Sequence, residues 1–236
     1  MTKHVISLYD YTAVTVQPWA EAGYECWCYD IQHPEHETVQ VGKGKIHKVN
    51  ADLHDKETIF ALYDAFKDLD VAIVLGFPVC TDLAVSGAAH WAKKAEKDPE
   101  FQIKATHYAM LCKVLADTLD VPYMIENPVS RLSTLWRKPD YSFHPFEYGD
   151  YIDDSEAEHP LYPEYIAPKD AYRKKTCLWT GNGFIMPEKK PVDPEAYHGN
   201  GYSTAMMKLG GKSQRTKNIR SATPRGFAKA VMEANA

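Results

Sequence analysis

The sequence predicts an α/β fold, a mostly parallel sheet with helices on both faces. Three observations predict it. Short apolar, β-branched runs recur through the first half of the chain, and helical patterns separate them. Two of the runs, DVAIVLG and VPYMIE, are continuously apolar, as strands covered on both faces are.

Taken in order, HVISLYD reads as the first strand. A loop and a short helical stretch, PWAEAG, follow, with Gly23 closing the helix. ECWCYDI is the second strand, where alternation puts Cys26 and Cys28 on one face as two small core residues. KIHKVNADL suggests a third, before a helix near Lys56–Lys67 with apolar residues three and four apart. DVAIVLG is the fourth strand, a long helix spans about 102–119, and VPYMIE is the fifth strand. Strands alternating with helices imply parallel crossovers, hence a Rossmann-like fold. Beyond residue 137 the pattern loosens. The stretch 138–172 is rich in Pro, Tyr and acid, and is either a substrate-facing loop region or a small insertion. TCLWT reads as a strand, 181–211 is rich in Gly and Pro, and Thr223 and Pro224 are placed as N-cap and first residue of a closing helix. The expected organisation is one domain: a core at 1–137, the irregular 138–172, and 173–236 completing the core.

Composition narrows the function classes. At 236 residues, 44% hydrophobic and 25% charged, the chain matches an ordinary soluble globular protein. No apolar run approaches the ~18 residues of a membrane span, and MTKHVISLYDYTAV lacks a long apolar signal core, so a cytoplasmic protein without a membrane partner is expected. Thiols there stay reduced, so the five cysteines are no disulfide framework; lacking two CxxC pairs, they also point to no metal. The net charge of −5 argues against a strongly cationic nucleic-acid binder. Yet Lys208, Lys212, Arg215, Lys217, Arg220, Arg225 and Lys229 follow one another without an intervening acid. That run is either a phosphate-contacting surface or a solvated tail.

In open parallel sheets, ligands bind outside the carboxyl ends of the strands. Those ends read Asp10-Tyr11-Thr12-Ala13-Val14, Asp30, Asp52, Gly76-Phe77-Pro78-Val79-Cys80 and Glu126-Asn127-Pro128. A lone Asp is usually a turn former; polar or reactive residues at five successive ends point to a site. An acid ending the second strand suits a ribose diol, and one after the third suits an adenine amine. Neither GxxxxGK[ST] nor GxGxxG occurs, so a nucleoside cofactor without phosphates, such as S-adenosylmethionine, fits better than ATP or NAD. Cys80 follows a buried strand in a turn shaped by Pro78. A thiol exposed there, beside the N-terminus of a following helix, has a lowered pKa and acts as a nucleophile, with Glu126 one strand away as acid/base partner.

These segments resemble the DNA cytosine-5 methyltransferases, in particular short phage-encoded members. LYDYTAVTVQPWAEAGYECWCYDIQH is similar to the family's first cofactor segment, and GFPVCTDLAVSG to its nucleophile segment. IENPVSRLSTLWRKPD is similar to the Glu-Asn segment, and YRKKTCLW to the basic strand. The resemblance spans roughly residues 4–185. It implies an S-adenosylmethionine-dependent methyltransferase fold in which Cys80 adds to cytosine C6, Glu126 contacts N3 and the exocyclic amine, and Asn127 fixes the turn. Arg173 and Lys175 would steady the base. The Asp10–Val14 loop would take the cofactor's methionine portion, Asp30 with Ile31 its ribose side, and Asp52 with Leu53 its adenine, with Pro78 nearby. The substrate implied is DNA with its cytosine flipped out, and phosphates would meet Lys208, Lys212, Arg215, Lys217, Arg220 and Arg225. A phage-encoded protein working in host cytoplasm is expected.

The chain also departs from the family. Thr12, Ala13 and Val14 stand where glycines are usual, which bears on cofactor affinity because β-branched residues resist glycine's backbone angles. Val79 separates Pro78 from Cys80, and Pro128 replaces a valine. A large target-recognition domain is missing, which keeps two other readings open: a free cytosine nucleotide as substrate, or a non-catalytic relative that binds cofactor or DNA.

Overall fold

The computed structural model describes residues 2–197, 199–210 and 213–236. Among the described residues, eight strands form one sheet: β1 (His4–Leu8), β2 (Glu25–Tyr29), β3 (Glu37–Val41), β4 (Gly44–Val49), β5 (Val71–Gly76), β6 (Tyr123–Pro128), β7 (Tyr141–Phe143) and β8 (Thr176–Gly181). Their order is β3-β4-β2-β1-β5-β6-β8-β7. The run from β4 through β2, β1 and β5 to β6 is parallel; β3 is antiparallel to β4, and β8 to β6. The helices are α1 (Gln17–Ala22), α2 (Lys56–Phe66), α3 (Trp91–Lys97), α4 (Phe101–Leu119), α5 (Leu132–Leu135), α6 (Thr204–Lys208), α7 (Gln214–Ser221) and α8 (Arg225–Asn235). This is the Rossmann-like α/β fold that the sequence predicts. The chain lays strands to one side of β1, then returns to lay β5 and β6 on the other. The switch point for a ligand therefore lies between the carboxyl ends of β1 and β5.

Local chemistry explains the elements. All five residues of β1 are buried, as in a strand covered on both faces. In β2, Cys26 and Cys28 are fully buried while Glu25 and Trp27 are half-exposed. Burial, reinforced by Asp10, pushes both thiols far above the ordinary range, so they serve as core residues. Asp55 caps α2 by accepting the Glu57 N–H. At the end of α4, Asp120 takes a left-handed φ of 56°.

Several expectations need correction. The sequence reading missed β3, because ETVQV is a short, largely exposed edge strand without an apolar run. It also missed α3 and the 3-10 segment Val85–His90 before it, neither of which buries a residue. The basic stretch near the end is partly helical, in α6 and α7. The closing helix starts one residue later than expected, with Pro224 as N-cap. Thr223 does not cap it; its hydroxyl accepts a 2.8 Å bond from the Thr15 hydroxyl instead.

The chain forms two compact units. One comprises Met1–Tyr11, Ala20–Ser142 and Thr176–Phe184; the other comprises Thr12–Trp19, Phe143–Lys175 and Ile185–Ala236. The first is built on Ile6, Leu8, Val74, Leu115, Ile125 and Trp179, all essentially without exposure. In the second, the stretch that reads as irregular is well packed. Phe143 stacks on Phe227 of α8 with ring centroids 4.0 Å apart, and Tyr148 meets Phe227 edge-on at 5.1 Å. Gly226 is required there, since a Cβ would fall 2.1 Å from the Tyr148 carbonyl oxygen.

The second unit also buries two titratable groups with opposing pH linkage. His159 Nδ1 accepts the N–H groups of Leu161 and Tyr162 at 3.2 and 3.1 Å, so its proton sits on Nε2. Burial, with Arg225 assisting, lowers its pKa to about 4. Asp170 accepts the Gly226 N–H at 3.2 Å, and burial raises its pKa to about 6. The stability due to neutral His159 is complete above its ordinary value of 6.5 and is lost as pH falls toward about 4. That due to protonated Asp170 is complete below 3.8 and is lost as pH rises through about 6. Each linkage is worth up to about 3 kcal/mol, and between pH 6 and 4 they offset each other. Urea midpoints of His159→Gln should therefore rise on acidification across that window relative to the parent, and those of Asp170→Asn should fall. Parallel profiles for both variants and parent would refute this.

Candidate active site

At the end of β5 the Phe77 N–H donates to the Leu8 carbonyl at 3.0 Å, guiding the chain past the end of β1. The Pro78 carbonyl then accepts a buried 3.1 Å bond from Asn127 Nδ2. The Cys80 carbonyl accepts the N–H groups of Leu83 and Ala84 at 3.0 and 2.8 Å, closing a turn that leaves the residue half-exposed. Cys26, Cys28, Cys112 and Cys177 are buried. Cys112 is pushed up to about 12 by burial.

Gly76 pairs with Ile125 in the parallel register of β5 and β6, so Glu126 and Asn127 lie alongside the start of the Cys80 loop. Asn127 is buried and Glu126 half-exposed. Past the strand ends the two loops pair again. Ala84 bridges Ser130, the Val85 N–H donates to Val129 O at 3.1 Å, and the Arg131 N–H donates to Leu83 O at 2.9 Å. The thiol is thus carried on a loop tied to the end of β6, which bears the carboxyl, and to the loop beyond it. One sequence argument fails here. A turn and a 3-10 segment follow Cys80, and the first α-helix beyond it, α3, begins only at Trp91, so the thiol is not followed directly by the helix N-terminus that the sequence suggested.

The other strand ends carry the acids that the sequence singled out. Asp10 is buried and accepts the Ser7 hydroxyl at 2.8 Å. Asp30 is also buried, and one of its oxygens takes the Gln32 N–H at 2.8 Å; Ile31 beside it is 63% exposed. Asp52 is exposed and accepts the His54 N–H at 3.0 Å, while Leu53 is buried. Tyr11 is partly exposed and stacks on His33 at 5.7 Å.

Thr12, Ala13 and Val14 belong to the second unit, where the Val14 N–H donates to Thr12 Oγ1 at 3.5 Å. Ala13 holds a φ of +57°, so the left-handed geometry that glycine favours occurs without the glycine. An L-residue there costs roughly 1–2 kcal/mol, of which glycine's extra freedom in the unfolded chain would cancel about half. Ala13→Gly relieves that strain but gives up a buried methyl group, so the urea midpoint should stay level or rise by no more than about 0.5 kcal/mol in stability, at unchanged slope. A lowered midpoint would show that the turn is unstrained.

Arg173 and Lys175 also lie in the second unit. Arg173 sits over the Phe146 ring at 5.1 Å and pairs with Glu195 at 3.5 Å; Lys175 is exposed. In the basic run, Arg225 donates to the carbonyls of Glu156 and Ala157, both at 2.7 Å, and Arg220 to that of Leu209 at 2.6 Å. Lys229 pairs with Asp153 at 3.5 Å. Lys208, Arg215 and Lys217 are exposed, and Lys212 lies outside the described residues.

The sequence reading passed over His33, Asn50, Tyr9 and the stacked pair His54–Tyr108, whose rings lie 3.6 Å apart. The Tyr9 hydroxyl donates to the carbonyls of Leu53 and Tyr108 at 3.5 and 3.4 Å. These residues had no motif to announce them; for Tyr9 and Asn50, which directly follow β1 and β4, position was the available signal. Among the described residues, no cluster of His, Cys, Asp and Glu is placed to hold a metal ion, and no helix is long and apolar enough to cross a membrane.

No protein-family profile matches the chain, and no curated protein matches it. One solved structure to which it is similar is a prophage-encoded E. coli protein proposed to be a DNA modification methyltransferase. The two share 12% identity at a TM-score of 0.44, over 90% of this chain and 56% of the other. This chain therefore spans little more than half the length of that protein.

Proposed function

We propose that the protein transfers a methyl group from S-adenosylmethionine to carbon 5 of a cytosine in DNA. The observation that carries this reading is the pairing of two neighbouring strand ends. A half-exposed Cys80 leaves β5, Glu126 and Asn127 end β6, and the Asn127–Pro78 bond ties them together. A thiol nucleophile and a carboxyl on adjacent strands suit addition to a heteroaromatic ring.

The residues fit a nucleoside cofactor. Three acids stand at the ends of β1, β2 and β4, and the sequence has neither phosphate-loop motif. Asp10 and the turn after it would hold the methionine portion, Asp30 and Ile31 the ribose side, and Asp52 and Leu53 the adenine. When bound, the cofactor supplies an electrophilic methyl group. The Cys80 thiolate adds to C6, and Glu126 steadies N3 and the exocyclic amine as electron density moves into the ring. C5 thereby becomes the nucleophilic carbon. C5 would take the methyl group as its bond to the sulfonium breaks and a neutral thioether is left; C5 would then lose its proton to water, and the C5–C6 double bond would re-form as the C6–S bond breaks and the thiolate departs. Asn127 keeps the two loops in register throughout. Arg173 and Lys175 are proposed to steady the base, and Lys208, Arg215 and Lys217 to meet phosphates.

The direct test supplies labelled S-adenosylmethionine together with duplex DNA, single-stranded DNA, dCMP or dCTP, followed by nucleoside mass analysis. 5-Methylcytosine in DNA supports the proposal. Label in the free nucleotide alone would replace DNA with that substrate, and no transfer to any of them would leave a non-catalytic binder.

A further inference from the structure

Three strand ends converge on one buried ring that the mechanism does not use. His33 is 3% exposed, and its Nε2 lies 3.3 Å from the Asp10 carbonyl oxygen. A carbonyl only accepts, so the proton is on Nε2 and the imidazole donates to the loop after β1. Its ring stacks on Tyr11 in that same loop. The His33 N–H donates to the Asp30 carbonyl at 3.3 Å, which ties it to the end of β2. Asn50, just beyond β4, donates through Nδ2 to the carbonyls of both His33 and Ile31. Burial lowers the pKa of the imidazole, which keeps it neutral at pH 7. A neutral, doubly anchored ring at this junction fixes where Asp10, Asp30 and Ile31 stand relative to one another.

We propose that His33, braced by Asn50, is a positioning residue for S-adenosylmethionine, holding the β1 and β2 loops in their binding arrangement. This rests on the cofactor reading above. It assigns His33 no contact with the reacting atoms, so its loss should weaken cofactor binding and leave the chemical step intact.

The test measures S-adenosylmethionine binding by calorimetry on the full chain and three variants: His33→Ala, His33→Gln and Asn50→Ala. Losing the bond to Asp10 should weaken binding about tenfold in His33→Ala. Glutamine carries an N–H that can reach the Asp10 carbonyl, and should restore most of the affinity. Asn50→Ala, at an exposed position, should fall between. In turnover with DNA the KM for cofactor should rise while kcat holds. If His33→Ala fails to fold, as a lost cooperative melt would show, the other two variants decide the matter. Equal affinity across the folded proteins, or a fall in kcat at unchanged KM, overturns the proposal. No binding by the unaltered protein overturns the cofactor reading itself, a failure visible before any variant is made.

Discussion

Replacing Cys80 with serine should lower methyl transfer by about a thousandfold or more while leaving S-adenosylmethionine binding unchanged. The sizes of the two effects differ because the sulfur has one task. A thiol is a few per cent ionised near neutrality and strongly nucleophilic when ionised, whereas a serine hydroxyl is neither without a strong base beside it. The groups proposed to hold the cofactor stand on other strand ends, and serine preserves the turn, whose bonds run through the backbone carbonyl of residue 80. A duplex carrying 5-fluorocytosine provides an independent readout. Fluorine at C5 cannot leave as a proton does, so elimination is blocked and the unaltered protein should run as a covalent complex on a denaturing gel. The serine variant should show none. Normal turnover by Cys80→Ser would end the covalent mechanism whatever the substrate.

Phe227→Ala should cost about 3–5 kcal/mol of stability, the usual price of emptying a buried aromatic site. The ring is 1% exposed and touches two others, Phe143 and Tyr148, so its removal strips contacts from both and leaves a void. Relaxation is limited, because Gly226 already presses α8 against the Tyr148 backbone. Chemical denaturation monitored by tyrosine and tryptophan fluorescence should show the loss as a lower midpoint. A change under 1 kcal/mol would mean that the three rings are not the core of the second unit.

The parallel strands were legible because burial on both faces writes itself as unbroken apolar runs, as in Val71–Gly76. The placement of Cys80, Glu126 and the three acids near strand ends was legible because each comes at the close of an apolar run. The edge strand β3 was not, since a half-exposed strand needs few apolar residues and ETVQV alternates only weakly. Nor was the packing of 143–172, whose aromatic residues meet a helix some 80 positions later in the chain; such pairings leave no periodicity. The left-handed Ala13 shows a different kind of miss. A glycine-poor loop reads as one that avoids glycine's angles, yet the surrounding structure imposes them on alanine. The contacts of His33 were hidden because they come from two loops remote in sequence.

The stitching of Leu83–Val85 to Val129–Arg131 carries a kinetic corollary. A nucleophile on a hinged flap must wait for the flap to shut, and each encounter with substrate would then include a slow closing phase. Here backbone bonds sew the segment next to the sulfur to its neighbour. A rapid-mixing experiment should therefore find adduct formation without a lag, its rate set by how quickly the target ring is delivered.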